Sequence, residues 1–160
     1  MDEADLRHLR RAIEVARRAR EHGNQPFGAV LVDADGQVVL EAENTVVTDR
    51  DFTGHAEANL MRLAARRLDP EVLPGCTVYT STEPCAMCAG AIYWGRVGRV
   101  VYGLDVLTLD TIVRDDPGNP TPLLRAEQVL GAGKHRVLVE GPALVEEARA
   151  VHDGFWGRPA

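Results

Sequence analysis

The sequence predicts an α/β fold in which helices cover both faces of a single mixed sheet. Three observations carry that expectation. Residues 27–32 (FGAVLV) form a short apolar run, Asp33-Ala34-Asp35-Gly36 is a turn, and residues 38–40 resume the apolar pattern, which is the signature of a β-hairpin. From His55 onward, stretches with helical periodicity alternate with short strand patterns, as crossover connections require. The chain has 160 residues, 45% hydrophobic and 26% charged, which fits one domain over residues 1–160 that buries a core without disulfides.

Leu6, Leu9, Ile13, Ala16 and Ala19 place one apolar face along a helix over residues 4–22, and Gly23-Asn24 ends it. After the hairpin, residues 43–54 are polar and rich in Thr and Asp, so they read as loop. A helix over 55–68 gathers Leu60, Leu63, Ala64 and Leu68 on one side and stops at Asp69-Pro70. Residues 76–80 alternate as a strand. Pro84 opens a helix, because its missing N–H costs nothing in a first turn, and Gly95 closes it after Trp94. Residues 97–102 read as the next strand. Residues 103–120 are acidic and increasingly rich in Pro, Gly and Asp, and are expected to be the longest irregular stretch, of the kind that carries function. Thr121-Pro122 is expected to start a helix through Leu130, residues 136–139 to form the last strand, and residues 142–151 the last helix. The order is α-β-β-α-β-α-β-α-β-α, with no internal repeat.

Several function classes are excluded or disfavoured. No stretch approaches the ~18 consecutive apolar residues of a membrane span. The N-terminus, Met-Asp-Glu-Ala-Asp, has no apolar signal core, and three cysteines make no disulfide framework, so a cytoplasmic location is expected. A net charge of −6 disfavours a partner that presents a long phosphate backbone. Arg7, Arg10, Arg11, Arg17, Arg18 and Arg20 of the first helix read either as a nucleic-acid grip or as a solvated face among Asp5, Glu14 and Glu21; the second reading is preferred.

Two segments carry chemistry. His55-Ala56-Glu57 and Pro84-Cys85-Ala86-Met87-Cys88 each follow a loop and open a predicted helix. One imidazole and two thiols are ligands of the kind zinc accepts. Cys85 and Cys88 are three apart and share one helix face, near the positive end of the helix, which favours the thiolate. Three ligands without an obvious fourth match a catalytic rather than a closed structural site. Cys76 is the alternative fourth ligand, although a buried small-residue role suits a strand start better. His8, His22 and His135 read as surface or satisfied polar groups. His152 reads likewise, with a pocket-lining role as its alternative because it adjoins an aromatic tail. Glu57, two residues after a helix-opening ligand, sits beside a metal without having to bind it and is placed to move protons.

These residues resemble the zinc-dependent cytidine deaminase superfamily, in which a His-x-Glu segment pairs with Pro-Cys-x-x-Cys and the Glu is the general acid and base. The resemblance runs from about Ala12 to Gly103. It implies a three-layer α-β-α sandwich around a five-stranded mixed sheet. It also implies one zinc per subunit on His55, Cys85 and Cys88, proton transfer by Glu57, and a homodimer. The segment Asn24-Gln25-Pro26-Phe27-Gly28-Ala29-Val30 looks like a pocket wall of the guanine and tRNA-adenosine branch. On that resemblance Asn44 contacts the base, with Phe27, Gly28, Ala29 and Ala56 around it; the alternative for Asn44 is a loop residue bonding its own backbone. Trp94 either approaches the substrate or packs in the core. Gly54 stands where an Ala is common, and is expected to widen the pocket by one methyl. Asp115, Asp116 and Asp153 are the candidates for a second acid, although each reads better as a solvated loop acid, and Phe155 and Trp156 are expected either to cover the pocket or a neighbouring subunit, or to pack on their own subunit.

The leading expectation is hydrolytic deamination of a small aminated heterocycle, guanine or a related purine or triazine. The alternatives are a tRNA adenosine deaminase, a cytosine or nucleoside deaminase, and a zinc-stabilised binding domain without catalysis.

Overall fold

The computed structural model describes residues 1–114, 116 and 120–157. Twelve elements follow one another: α1 (Glu3–Glu21), β1 (Gly28–Val32), β2 (Val38–Glu43), α2 (Ala56–Arg67), a 3-10 turn (Pro70–Gly75), β3 (Thr77–Thr82), α3 (Ala86–Trp94), β4 (Arg99–Leu104), α4 (Val106–Val113), α5 (Ala126–Gly131), β5 (Leu138–Glu140) and α6 (Val145–Ala150). The sheet order is β2-β1-β3-β4-β5. The hairpin strand β1 is antiparallel to both β2 and β3, whereas β3, β4 and β5 run parallel. The sheet is therefore mixed and five-stranded, as expected.

Strand alternation splits the core into two layers. Ala29, Leu31, Val78 and Val100 face α2, α3 and α5, meeting Leu60, Ala64, Ile92 and Leu130. Val30, Val32, Tyr79 and Val101 face α1 and α6, meeting Leu9, Ala12, Ile13, Ala16 and Ala148. With both faces covered, β1 is buried at all five positions, which is why its sequence reads as a continuous apolar run.

Asp2 caps α1 by accepting from Asp5 N, and the Asp5 carboxylate returns the bond to Asp2 N. The same carboxylate accepts from the Tyr79 hydroxyl and both terminal nitrogens of Arg99, and this holds its pKa well below the usual range. One acid thus ties the first helix to the two central parallel strands. Four of the six arginines of α1 are paired. Arg10 meets Glu147, Arg11 and Arg18 meet Glu41, and Arg20 donates to the carbonyls of Val151 and Asp153. Carboxylates of β2 and α6 neutralise three of these six arginines, which weakens the stripe as a surface for a phosphate backbone.

The structure corrects the reading of residues 103–120. Asp105 accepts from Leu107 N and Thr108 N and so caps α4, whose Val106, Leu109 and Val113 are buried at helical spacing. The Pro- and Gly-rich end of that segment had obscured this period. Conversely, helix formation after Thr121 begins only at Ala126: Thr121 and Pro122 line a cavity, and Arg125 bonds to Glu83.

Gly28 marks the closest approach of sheet and helix. A Cβ there would lie 2.4 Å from Ala16 N and 2.5 Å from Ala12 O, both backbone atoms of α1 that cannot rotate aside. Gly28→Ala is expected to destabilise the fold by about 3 kcal/mol, read as a lower midpoint in chemical denaturation. An unchanged midpoint would show that α1 shifts freely on the sheet.

Candidate active site

Two helix starts converge at the ends of β2 and β3. His55 is the N-cap of α2 and Cys85 the N-cap of α3, so both ligands sit where the backbone turns from extended to helical. Cys85 Sγ lies 3.6 Å from His55 Nδ1, and the ligand atoms of His55, Cys85 and Cys88 all fall within 4.8 Å of one another. Among the described residues this is the one cluster of its kind. Hydrogen bonds from Cys88 and His55 hold the Cys85 thiol down to about 4, whereas the bond it gives to Cys85 and its burial push Cys88 up. A partly buried thiolate, a buried thiol and an imidazole form a donor set that suits zinc, with no fourth ligand in the cluster among the described residues. Cys76 is not part of the cluster; its thiol bonds to Val72 O within the 3-10 turn.

Glu57 is buried beside this cluster, outside the ligand set. Burial raises its pKa, with the Cys85 charge adding to the effect. The Thr80 hydroxyl donates to Glu57 Oε1 at 2.9 Å and fixes the carboxyl's orientation. His55, Glu57 and Cys85 form part of the lining of a cavity of about 380 Å³. Phe27, Val46, Phe52, Val106 and Leu109 give it apolar walls, Gln25, Thr82 and Glu83 add polar groups, and Pro120, Thr121 and Pro122 complete it. This is room for a small heterocycle.

Of the expected substrate contacts, the structure brings Phe27 to the cavity. Gly28 faces α1, and Ala29 and Ala56 are fully buried in the core, so these three are packing positions and not cavity walls. Asn44 is 1% exposed. Its Oδ1 accepts from Val46 N, and its Nδ2 is buried without a partner among the described residues. Trp94 is 83% exposed at the end of α3, in neither of the two expected positions within this subunit, because the helix turns that side away from both core and cavity. Gly54 does not widen the cavity: the place of its missing Cβ is taken by Thr45 Oγ1, Asp51 O and Val46 N, so the glycine lets the 45–51 loop close on itself.

Asp116 and Asp153 are not among the described residues of the cavity lining. Asp153 is exposed, Asp116 donates its N–H to Val113 O, and Asp115 lies outside the described residues. Instead Glu83 lines the cavity. Its side chain is almost wholly buried, and its oxygens accept from Val106 N, Ala126 N and Arg125 Nε at 2.9–3.0 Å. Glu83 thus pins the starts of α4 and α5, and with them the wall carrying Val106 and Leu109, to the residue before Pro84 and Cys85. The sequence carried a signal for it, an acid closing an apolar strand immediately before the Pro-Cys pair.

The tail packs on its own subunit. Trp156 Nε1 donates to His152 Nδ1 at 3.1 Å, its ring contacts Phe27, and Arg20 sits over Phe155. His152 is buried, with Phe27 and Trp156 on its ring and Arg20 of α1 as the nearby charge, and burial holds its pKa down to about 4. An unfolded histidine binds its proton near pH 6.5 and this one only near 4, so stability is full above the upper value and is lost as pH falls through that window. Between pH 7 and 4.5 the wild type is expected to lose about 2 kcal/mol more than His152→Gln in urea denaturation of the metal-free proteins. Parallel losses would show that His152 charges freely in the folded state.

Residues 2–104 match the family model of the cytidine and deoxycytidylate deaminase zinc-binding region. The chain is 41% identical over 157 residues to a probable cytosine deaminase of Schizosaccharomyces pombe, covering 98% of this chain and 94% of that one. It is 44% identical over 92 residues to a tRNA-specific adenosine deaminase of Agrobacterium fabrum, covering 58% of this chain and 60% of the relative. Among solved structures, a guanine deaminase from Nitrosomonas europaea superposes with a TM-score of 0.77 at 26% identity, over 91% of this chain and 80% of that one. Together with the His55, Cys85 and Cys88 cluster and the buried Glu57, these matches show that the chain belongs to the zinc-binding cytidine and deoxycytidylate deaminase family.

Proposed function

We propose that the protein is a hydrolase of C–N bonds in cyclic amidines, replacing the exocyclic amine of a free nucleobase by oxygen and releasing ammonia, with guanine or a related aminopurine or triazine as the leading substrate. The observation that carries this reading is the cavity of about 380 Å³ whose lining includes His55, Cys85 and Glu57. Zinc on His55, Cys85 and Cys88 supplies, when bound, a water acidified to near neutral pH. Glu57 would move two protons from the attacking water, the first to the ring nitrogen beside the amine-bearing carbon and the second to the departing amine, which leaves as ammonia. Thr80 holds the carboxyl for both transfers. The apolar walls exclude bulk water, and the unpaired Nδ2 of Asn44 offers a donor for an oxo group or ring nitrogen of the base.

A second reading is cytosine, supported by the match to the fission yeast relative, which extends over nearly the whole chain and so takes in the α4–α5 wall of the cavity. A tRNA substrate is less well supported, since three of the six arginines of α1 are held by carboxylates. Ammonia release by the zinc-loaded protein from guanine, cytosine, cytidine, adenine and aminotriazines tests the reading. Guanine turnover supports the leading substrate, cytosine turnover alone replaces it, and activity confined to a tRNA anticodon arm overturns it.

We further place the protein in the cytoplasm, where the Cys85 and Cys88 thiols stay reduced, and assign it a homodimer in which a second copy covers the exposed Met87 and Trp94 of α3. Among the described residues no helix is long and apolar enough to cross a membrane. A monomer by light scattering would contradict the dimer.

A further inference from the structure

We propose that Thr82 reads the substrate: its hydroxyl pairs with a ring nitrogen or oxo group on the edge of the bound base. This rests on the small-heterocycle reading given above.

Thr82 is the last residue of β3 and is 3% exposed. Its Oγ1 is sealed from solvent and has no hydrogen-bond partner among the described residues, and the residue lines the cavity together with Glu57 and Cys85. Its neighbours make the contrast plain. Thr80 donates to Glu57, Ser81 Oγ accepts from Gly28 N, and the Glu83 carboxylate takes three donors. Even the Thr82 carbonyl lies 3.1 Å from the Thr80 hydroxyl. In a run where every other polar side chain is engaged, one hydroxyl is left over, and it belongs to a residue of the cavity wall.

A buried hydroxyl without a partner is a net cost to the folded protein, and valine, of nearly the same shape, would avoid it. A partner that arrives with the substrate turns the cost into selectivity. The hydroxyl rotates and both donates and accepts, so it suits an oxo group, a ring nitrogen or a ring N–H, and it disfavours a heterocycle that presents a hydrocarbon edge there. Glu57 handles protons and the metal cluster activates water; neither fixes which edge of the base turns toward β3. Thr82 is placed to do so.

Thr82→Val and Thr82→Ser, each zinc-loaded, test the proposal against wild type by melting temperature, zinc content and steady-state ammonia release. The valine variant is expected to keep its zinc, to melt about 2–4 °C higher, and to lose about tenfold to a hundredfold in kcat/KM, chiefly through KM. The serine variant, which retains the hydroxyl, is expected to recover most of the loss. A lower melting temperature for Thr82→Val would overturn the proposal by revealing a partner in the free protein, and so would a kcat/KM equal to wild type on every base turned over. A wild type silent on all free bases would instead bring down the small-heterocycle reading and this inference with it, whereas an active wild type matched by the valine variant brings down the inference alone.

Discussion

Glu57→Gln is expected to lower kcat/KM by about 10³- to 10⁴-fold while zinc content stays at the wild-type level. The glutamine keeps the volume of a fully buried side chain, and its carbonyl oxygen still accepts from the Thr80 hydroxyl. What disappears is the capacity to take a proton and give it back. Zinc is retained because the ligand cluster is His55, Cys85 and Cys88, with Glu57 outside it. The variant is also expected to melt no lower than wild type, since burial disfavours the charged carboxylate and an amide avoids that cost. Ammonia release, zinc content and melting temperature read in parallel separate the possibilities. Lost activity with zinc and stability intact identifies a proton-transfer residue. A rate within tenfold of wild type would remove Glu57 from the mechanism and favour a domain that binds zinc without using it.

The chemistry of the site was more legible in the sequence than its shape. His55, Glu57, Cys85 and Cys88 are few, polar and placed at helix starts, so residue type and spacing already mark them as candidates for metal binding and proton transfer. The sheet was legible for a related reason: Val30 and Leu31 lie on a strand buried on both faces and leave a plain apolar run. The cavity wall was not, because it is made by residues whose neighbours in sequence are not their neighbours in space. Glu83 acts through Val106 N, Ala126 N and Arg125, and nothing local in the sequence announces that three-way contact. Leu109 and Val106 were hidden in a segment whose Pro, Gly and Asp content outweighed a short helical period capped by Asp105. Gly28 shows the opposite hazard. Its position in a run that looks like a pocket wall suggested substrate contact, and the close approach of α1 explains the glycine instead.

Removing one ligand distinguishes an open catalytic site from a closed structural one. Cys88→Ala is expected to abolish zinc retention through gel filtration and to bring ammonia release down to the chelated background, because two remaining ligands leave the ion mostly to water. Cys88 is fully buried in the first turn of α3 and has no role in pinning the cavity wall, so its replacement by a smaller apolar side chain leaves the metal-free fold in place. The stability that zinc adds then becomes readable. Chelation of the wild type lowers its unfolding free energy by the ligand-binding contribution, about 4 kcal/mol when free zinc stands a thousandfold above its dissociation constant. That difference between loaded and chelated protein is expected to vanish in Cys88→Ala. Cys76→Ala serves as the control, since Cys76 bonds to Val72 O and lies outside the cluster; its zinc content and turnover are expected to match wild type. If Cys76→Ala lost zinc as readily as Cys88→Ala, a fourth protein ligand would close the site. With three ligands among the described residues, zinc bound there would keep a position for water, and the buried Glu57 would be the acid beside it.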